Sequence, residues 1–147
     1  MGYRRLFIMR KDWKMSPGKL AAQVGHCAEA FWTGKLREAT YKTVANSSYA
    51  EDVLTVSIPH DIIQEYINGT FTKTICAARN KNDLMKAKAL AEELNLTEGK
   101  DFGLIYDKCL TELTPEEADG TTLTGIWFAP LPDEVSHAIS KKYHLYT

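Results

Sequence analysis

Runs of apolar residues along this chain alternate with segments in which apolar residues recur every three or four positions. The runs are typical of buried strands and the spaced segments of amphipathic helices, and glycine, proline and asparagine stand at many of their boundaries. Five apolar runs predict strands, over residues 6–10, 53–58, 72–79, 102–107 and 122–129. Because helical segments separate most of these strands, the pattern favours an α/β fold.

Four segments have the spacing of helices, over residues 16–33, 59–67, 82–96 and 132–142. Ser16 can cap the first of these. Residues 35–50 are ambiguous and fit a second helix followed by a loop at 46–48. No helix separates the last two strands, so the sheet is expected to be mixed. We therefore predict a single three-layer α/β domain over residues 1–147, with a mixed central sheet of about four strands and helices on both faces.

Composition narrows the class of protein. The 147 residues are 44% hydrophobic and 25% charged, as in ordinary globular domains with their own core. Cys27, Cys76 and Cys109 lack the spacing of a disulfide framework or a zinc site, so we expect neither a metal nor a cofactor. No apolar run reaches the ~20 residues of a membrane span, and the N-terminus lacks the apolar core of a signal peptide. These features favour a cytoplasmic protein with reduced thiols and no membrane partner.

The net charge is only −1, but cations are concentrated near the N-terminus. Six of them fall within the first 19 residues and are opposed only by Asp12: Arg4, Arg5, Arg10, Lys11, Lys14 and Lys19. A local basic patch on a nearly neutral protein can bind a polyanion. The alternative is that these residues are scattered, solvated charges.

The first predicted helix carries a polar stripe beside its apolar face. At 100° per residue, Lys19, Gln23 and His26 fall within about 60° of arc. Lys19 lies in the first turn, where the helix dipole disfavours a cation by ~0.3–1 kcal/mol, so we expect it to meet a ligand anion that the helix N-terminus also attracts. Taken singly, Lys19 also fits an ordinary surface lysine, and His26 fits a satisfied, half-buried histidine.

Residues 6–32 resemble the N-terminal signature of the class II peptidyl-tRNA hydrolases. The matching residues are Arg10, Asp12, Lys14, Met15, Gly18, Lys19, Ala21, Ala22, Gln23 and His26. Trp13 and Cys27 stand where that family usually has leucine and alanine. The resemblance lapses over residues 40–72, which look like an insertion or a divergent connection, and resumes in the following strand and helix.

This resemblance implies a four-stranded mixed sheet between helices. It also implies a reaction: cleavage of the ester that joins a peptide to its tRNA, without a metal ion. It also implies a homodimer. The groups implicated in the family fall on Lys19, His26, Asp107, Thr111 and Thr124. Thr121 competes with Thr124 for the last position, because the intervening loop is longer here.

The chemistry of ester hydrolysis agrees with these residue types. Asp107, with Thr111, can position or deprotonate a water molecule. Lys19 can stabilise the oxyanion or hold the terminal phosphate, and His26 can orient its neighbours or shuttle a proton. The residues expected to bind substrate, the 3′ end of a tRNA that carries a peptide, are Arg10, Lys14, Gln23, Lys108 and Thr121.

The loop after Asp107 departs from the family pattern. Cys109 and Leu110 replace a glycine and an arginine, and four acidic residues crowd the loop: Glu112, Glu116, Glu117 and Asp119. Like charges near a phosphate-binding cleft oppose tRNA. Two hypotheses from different classes remain, a peptidyl-tRNA hydrolase and a non-catalytic relative that binds RNA or protein. A small-molecule hydrolase that uses the same cleft is a third.

Overall fold

The computed structural model describes residues 2–147, which form eight strands and four helical segments. The strands are Tyr3–Arg10 (β1), Thr40–Ala45 (β2), Ala50–Thr55 (β3), Thr72–Ala78 (β4), Phe102–Asp107 (β5), Thr122–Phe128 (β6), Leu131–Pro132 (β7) and His144–Leu145 (β8). The α-helices are Pro17–Glu38 (α1), Lys81–Glu93 (α2) and Asp133–Ser140 (α3), and a π-helix covers Ile62–Thr70. Among the helices of residues 2–147, none is both long and apolar enough to cross a lipid bilayer.

The central sheet has the strand order β5-β6-β1-β4-β8, and β7 also pairs with β1. β1 runs parallel to β4 and antiparallel to β6, and β5 runs antiparallel to β6. The predicted α/β fold with a mixed central sheet is therefore confirmed. Its four long strands are those expected from the sequence, and the two-residue strands β7 and β8 add to them.

Helices cover both faces of this sheet because the side chains of β1 alternate between two cores. Leu6 and Ile8 pack into the core that α2 and α3 cover. Phe7 and Met9 point the other way, into the core that α1 covers with Cys27 and Phe31. A central strand with an apolar layer on each face has a continuous apolar sequence, which is how β1 could be identified.

The second helix predicted within residues 35–50 does not form, and that part of the prediction is wrong. α1 continues to Glu38, and an antiparallel hairpin of β2 and β3 follows it. Aromatic and β-branched residues in 40–44 favour this extended backbone. The predicted strand 53–58 ends earlier than expected, at Thr55, because it is the second strand of the hairpin.

The loop expected at 46–48 forms the turn of this hairpin. The Asn46 Oδ1 accepts hydrogen bonds from the backbone N–H groups of Ser48 and Tyr49, at 2.8 and 3.0 Å. Asparagine is favoured in turns because its side chain can bond to the backbone that follows it. The turn could therefore be identified from the sequence, although the strands on either side of it were not both expected.

Arg5 joins α1 to the sheet from a fully buried position. Its Nε donates to the Phe128 carbonyl oxygen at 3.0 Å, and its two terminal nitrogens donate to the carbonyl oxygens of Ala28 and Cys27 at 2.6 and 3.1 Å. Its guanidinium also lies 4.7 Å from the centroid of the Phe7 ring. Burial lowers the pKa of Arg5 to about 10. This cation therefore fixes how the site-bearing helix sits on the sheet.

We expect Arg5→Ala to lower the free energy of unfolding by about 3 kcal/mol or more, because it leaves a cavity and removes three buried hydrogen bonds from a charged donor. The thermal midpoint measured by circular dichroism should fall by roughly 10 °C. Arg4→Ala is the control, since the Arg4 side chain makes two long hydrogen bonds, at 3.3 and 3.4 Å, and a 3.9 Å ion pair with the half-exposed Asp133, on the other face of β1. Equal losses for the two variants would contradict the role assigned to Arg5.

Candidate active site

The first turn of α1 and the end of β5 meet at one edge of the sheet. The Lys19 Nζ lies 2.9 Å from the Asp107 Oδ1 and donates to the Thr111 Oγ1 at 3.0 Å. The Lys19 and Asp107 side chains are only 12% and 10% exposed. The partner of Lys19 at the start of α1 is therefore Asp107, a group of the protein itself and not the ligand anion that the sequence led us to expect. The pair offsets the unfavourable placement of a cation in the first turn.

Asp107 accepts hydrogen bonds on both of its oxygens. Gln23 Nε2 donates to Oδ1 at 3.0 Å, and the backbone N–H of Cys109 donates to Oδ2 at 2.9 Å. Burial alone would raise the pKa of Asp107, but the bonds from Lys19, Cys109 and Gln23 outweigh it and lower the pKa below its usual value. Asp107 is therefore a carboxylate at neutral pH, held in one orientation.

Behind this carboxylate, Gln23 is oriented by Thr124. The Thr124 hydroxyl donates to the Gln23 Oε1 at 2.7 Å, and both side chains are buried. The pairing of β5 with β6 shifts here: Ile105 lies opposite Gly125, but Tyr106 lies opposite Leu123. Thr124 is thus the extra residue of a β-bulge, and bulges turn a side chain toward a new direction. Gln23 and Thr124 support Asp107 from inside the protein and do not face solvent.

A groove of about 810 Å³ runs from Lys19 and Asp107 along α1 to Arg37. His26 and Lys108 lie on its walls; His26 is exposed, and Trp127 contributes apolar surface. Thr111 is exposed at the groove's mouth. The structure therefore brings together Lys19, Asp107 and Thr111 in direct contact, with His26 and Lys108 in the same groove.

Arg10 does not lie where a substrate phosphate could reach it, and the expectation for this residue is corrected. Its side chain is 3% exposed, and its five N–H groups donate to Asp12, Glu116 and the Leu123 carbonyl oxygen. Burial works against the charge of Arg10, but Glu116 and Asp12 outweigh it and raise the pKa of Arg10. No donor is left for a ligand.

The acidic residues of the loop are bound to other parts of the protein. Glu112 accepts from the backbone N–H and the hydroxyl of Ser16, the N-cap residue of α1. Glu116 pairs with Arg10, and Glu117 pairs with Lys81. The charges of Glu116 and Glu117 are therefore partly neutralised before any phosphate approaches the groove, and Glu112 is held at the start of α1.

Thr121 and Thr124 were the two alternatives for the threonine of the final strand, and the structure places them differently. The hydroxyl of Thr121 donates to Asp119 at 2.6 Å and closes a turn of the loop. Thr121 is half-buried, and its hydroxyl bonds within the loop and does not reach Asp107. Thr124 is the threonine that connects to Asp107, through Gln23.

Sequence reasoning missed two features of the site. The first is the contact of Glu112 with the helix cap Ser16, across 96 positions, which no local pattern signals. The second is the backbone N–H of Cys109, which faces Asp107 because Cys109 has a left-handed backbone with φ of 59°. A signal for it was present, since the related family has glycine at this position and glycine favours that conformation.

The remaining candidate, Lys14, makes no direct contact with this cluster. It is exposed on the connection between β1 and α1, and no ion pair holds it within residues 2–147. In the same described part of the chain, no group of three His, Cys, Asp or Glu side chains is arranged to hold a metal ion.

Comparison with known proteins gives a consistent result. A family model described as Peptidyl-tRNA hydrolase PTH2 matches residues 3–146. A protein named peptidyl-tRNA hydrolase from Thermococcus sibiricus is 30% identical over 142 residues, with 94% of this chain and 92% of the relative covered. One of the same name from Thermococcus onnurineus is 29% identical over 133 residues, with 90% and 88% covered.

We expect Cys109→Gly to raise the free energy of unfolding by about 1 kcal/mol. The left-handed conformation is strained for a residue with a side chain, although the greater freedom of glycine in the unfolded chain offsets part of the gain. Thermal unfolding measures the change. Cys109→Ala is the control, because it removes the thiol but keeps the strain, and it should not stabilise. A lower midpoint for the glycine variant would contradict this assignment.

Proposed function

This chain belongs to the peptidyl-tRNA hydrolase PTH2 family and is a hydrolase, and on that premise we propose that it cleaves the ester bond of peptidyl-tRNA without a metal ion, releasing peptide and tRNA. The observation that carries the proposal is the contact of the Lys19 ammonium with Asp107 and Thr111 at the mouth of the groove. A cation, a carboxylate and a hydroxyl within one hydrogen-bonded cluster are the groups that ester hydrolysis needs.

In this proposal, the ester carbonyl lies beside Lys19, and a water molecule lies beside Asp107 and Thr111. The water oxygen attacks the carbonyl carbon, and the ammonium of Lys19 stabilises the negative charge that develops on the carbonyl oxygen. The lowered pKa of Asp107 makes it a weak base, which suits it to orienting the water. His26 in the same groove takes up the proton that the water loses. When the bond between the carbonyl carbon and the terminal ribose oxygen breaks, His26 gives this proton to the ribose oxygen, and the tRNA leaves with a free hydroxyl.

The positive charge of Lys19 can stabilise the oxyanion as a catalytic metal would, and this supports a reaction without one. The acidic loop had favoured the alternative of a non-catalytic binding domain. Its glutamates are bound to Arg10, Ser16 and Lys81, so they oppose a phosphate less than free charges would. The acidic loop is therefore weaker support for the non-catalytic interpretation than the sequence alone suggests.

We also propose that the protein works in the cytoplasm, where translation supplies its substrate. Cys27, Cys76 and Cys109 are free thiols, as a reducing compartment favours.

The direct test of the activity is release of tRNA from N-acetylaminoacyl-tRNA by the purified protein, with and without a chelator. We expect Lys19→Ala to reduce the rate by a factor on the order of 10²–10³, the usual effect of removing one group that stabilises an oxyanion. Lys19→Arg should recover little of it, because a planar guanidinium does not replace a compact ammonium. Because Lys19 also pairs with Asp107, its removal should lower the thermal midpoint by a few degrees.

Lys100→Ala is the matched control, since this exposed lysine lies at the opposite edge of the sheet and should change neither rate nor midpoint. A Lys19→Ala variant that cleaves at the parent's rate would refute the assigned role. Activity that is lost on chelation and restored only by zinc would refute the metal-independent reaction, provided that the magnesium required by the tRNA is supplied throughout.

The hairpin of β2 and β3 supports a second proposal, that the protein is a homodimer. All residues of both strands are exposed, including Tyr41 at 68% and Val53 at 56%. A lone two-stranded hairpin is marginal in water. The accessible surface, 8730 Å², exceeds the roughly 7600 Å² expected for a compact monomer of 16.6 kDa. The excess is comparable to the ~800 Å² that each partner buries in a standard interface.

We expect sedimentation at micromolar concentration to give a dimer, and Tyr41→Glu with Leu54→Glu to give a monomer, because these two residues lie opposite each other on one face of the hairpin. Leu94→Glu, at an exposed position after α2, is the control and should leave the dimer intact. A parent protein that sediments as a monomer would refute this proposal.

A further inference from the structure

The edge of the sheet that carries Asp107 continues to two further cations, Lys11 and Arg79, and to a histidine, His144. β1, β4 and β5 all end at this edge, and β6 begins there, because Asp107 pairs with Thr122 and Arg10 pairs with Ala78. Lys11 follows β1, Arg79 follows β4, and His144 begins β8. With strands about 4.8 Å apart, Lys11 and Arg79 lie two and three strands from Asp107, or roughly 10–14 Å.

These three residues line a cleft of about 310 Å³, called the β4–β8 cleft below. The Lys11 Nζ lies 5.5 Å from the centroid of the Tyr146 ring, which holds the ammonium at the cleft. Arg79 pairs with Asp83 at 3.3 Å, but its side chain is 81% exposed and its second terminal nitrogen makes no bond within residues 2–147. The cleft therefore presents cationic donors to solvent.

Elsewhere on this edge most cations of the described residues are held by carboxylates, and Lys108, which follows Asp107 and is exposed in the groove, is an exception. Lys19 is paired with Asp107, and Lys81 is paired with Glu117. Arg10 is surrounded by Asp12 and Glu116, so that cluster carries a net charge of −1. The β4–β8 cleft thus holds Lys11, which makes no ion pair within the described residues, and Arg79, which is paired with Asp83 but keeps one terminal nitrogen free. Both lie on the far side of this cluster from the groove. Lys14, on the connection from Lys11 to α1, adds a further exposed cation.

We propose that the β4–β8 cleft binds a backbone phosphate of the tRNA acceptor end, a few nucleotides from the ester. This inference rests on the proposed function, because it requires the ester to lie at Lys19 and Asp107. A guanidinium and an ammonium lining one cleft suit a phosphate group, and such contacts position a nucleic acid without reading its sequence. The RNA then leaves the site toward β8, and the groove along α1 toward Arg37 is left for the peptide.

The experiment compares two double variants that remove the same charge. Lys11→Gln with Arg79→Gln alters the cleft. Lys73→Gln with Lys100→Gln alters the opposite edge, where β4 and β5 begin. Each is assayed with N-acetylaminoacyl-tRNA and with N-acetylaminoacyl-adenosine, which has the ester but no RNA backbone. Binding of deacylated tRNA is measured separately by fluorescence anisotropy over a range of salt concentrations.

For the cleft variant we expect KM with the tRNA substrate and Kd for deacylated tRNA to rise about tenfold, with kcat unchanged. The slope of log Kd against log salt should fall by about 1–2, since the variant neutralises up to two phosphate charges fewer. Cleavage of the adenosine ester should not change, and the control variant should match the parent in all measurements. Equal tRNA affinity of the two double variants would overturn the inference.

A parent protein that cleaves neither substrate would refute the proposed function. The binding measurement would still decide on the cleft in that case, because it uses deacylated tRNA and needs no turnover.

Discussion

The ion pair between Lys19 and Asp107 is the interaction on which the rest of the site depends. Charges this far removed from water stabilise a protein only when further hydrogen bonds satisfy them. Gln23, the Cys109 N–H and the Thr111 hydroxyl provide those bonds. The ammonium and the carboxylate are therefore fixed before a substrate arrives, and polar groups that need not reorganise stabilise developing charge most effectively.

The loop over 108–121 is held by the same kind of contact. Its glutamates reach three separate elements: the start of α1, the end of β1 and the first turn of α2. The contacts with Arg10 and Lys81 offset charges that would repel RNA, and all three contacts together fix the segment that carries Thr111. A charge count along the sequence overestimates the repulsion, because it cannot include partners that are distant in the chain.

Much of the fold could be predicted because the central strands are buried on both faces and α1 has a clear cap at Ser16. The meeting of α1 with the end of β5 follows from strand ends that share one edge. The direction of Thr124 could not be predicted, because the bulge depends on the pairing of two strands. That all N–H groups of Arg10 bond within the protein could not be predicted either, because Glu116 is 106 positions away in the sequence.

The position of β1 also determines when the molecule can fold during synthesis. β1 is made before the other strands, yet its neighbours in the sheet are β4 and β6, and β6 ends at Phe128. At ~5–20 residues per second, the ribosome completes β6 many seconds after β1 has emerged. Until then the apolar sides of β1 have no complete sheet to join, and contacts between such distant segments form slowly. The nascent chain therefore depends on protection of its first strand until β6 has been made.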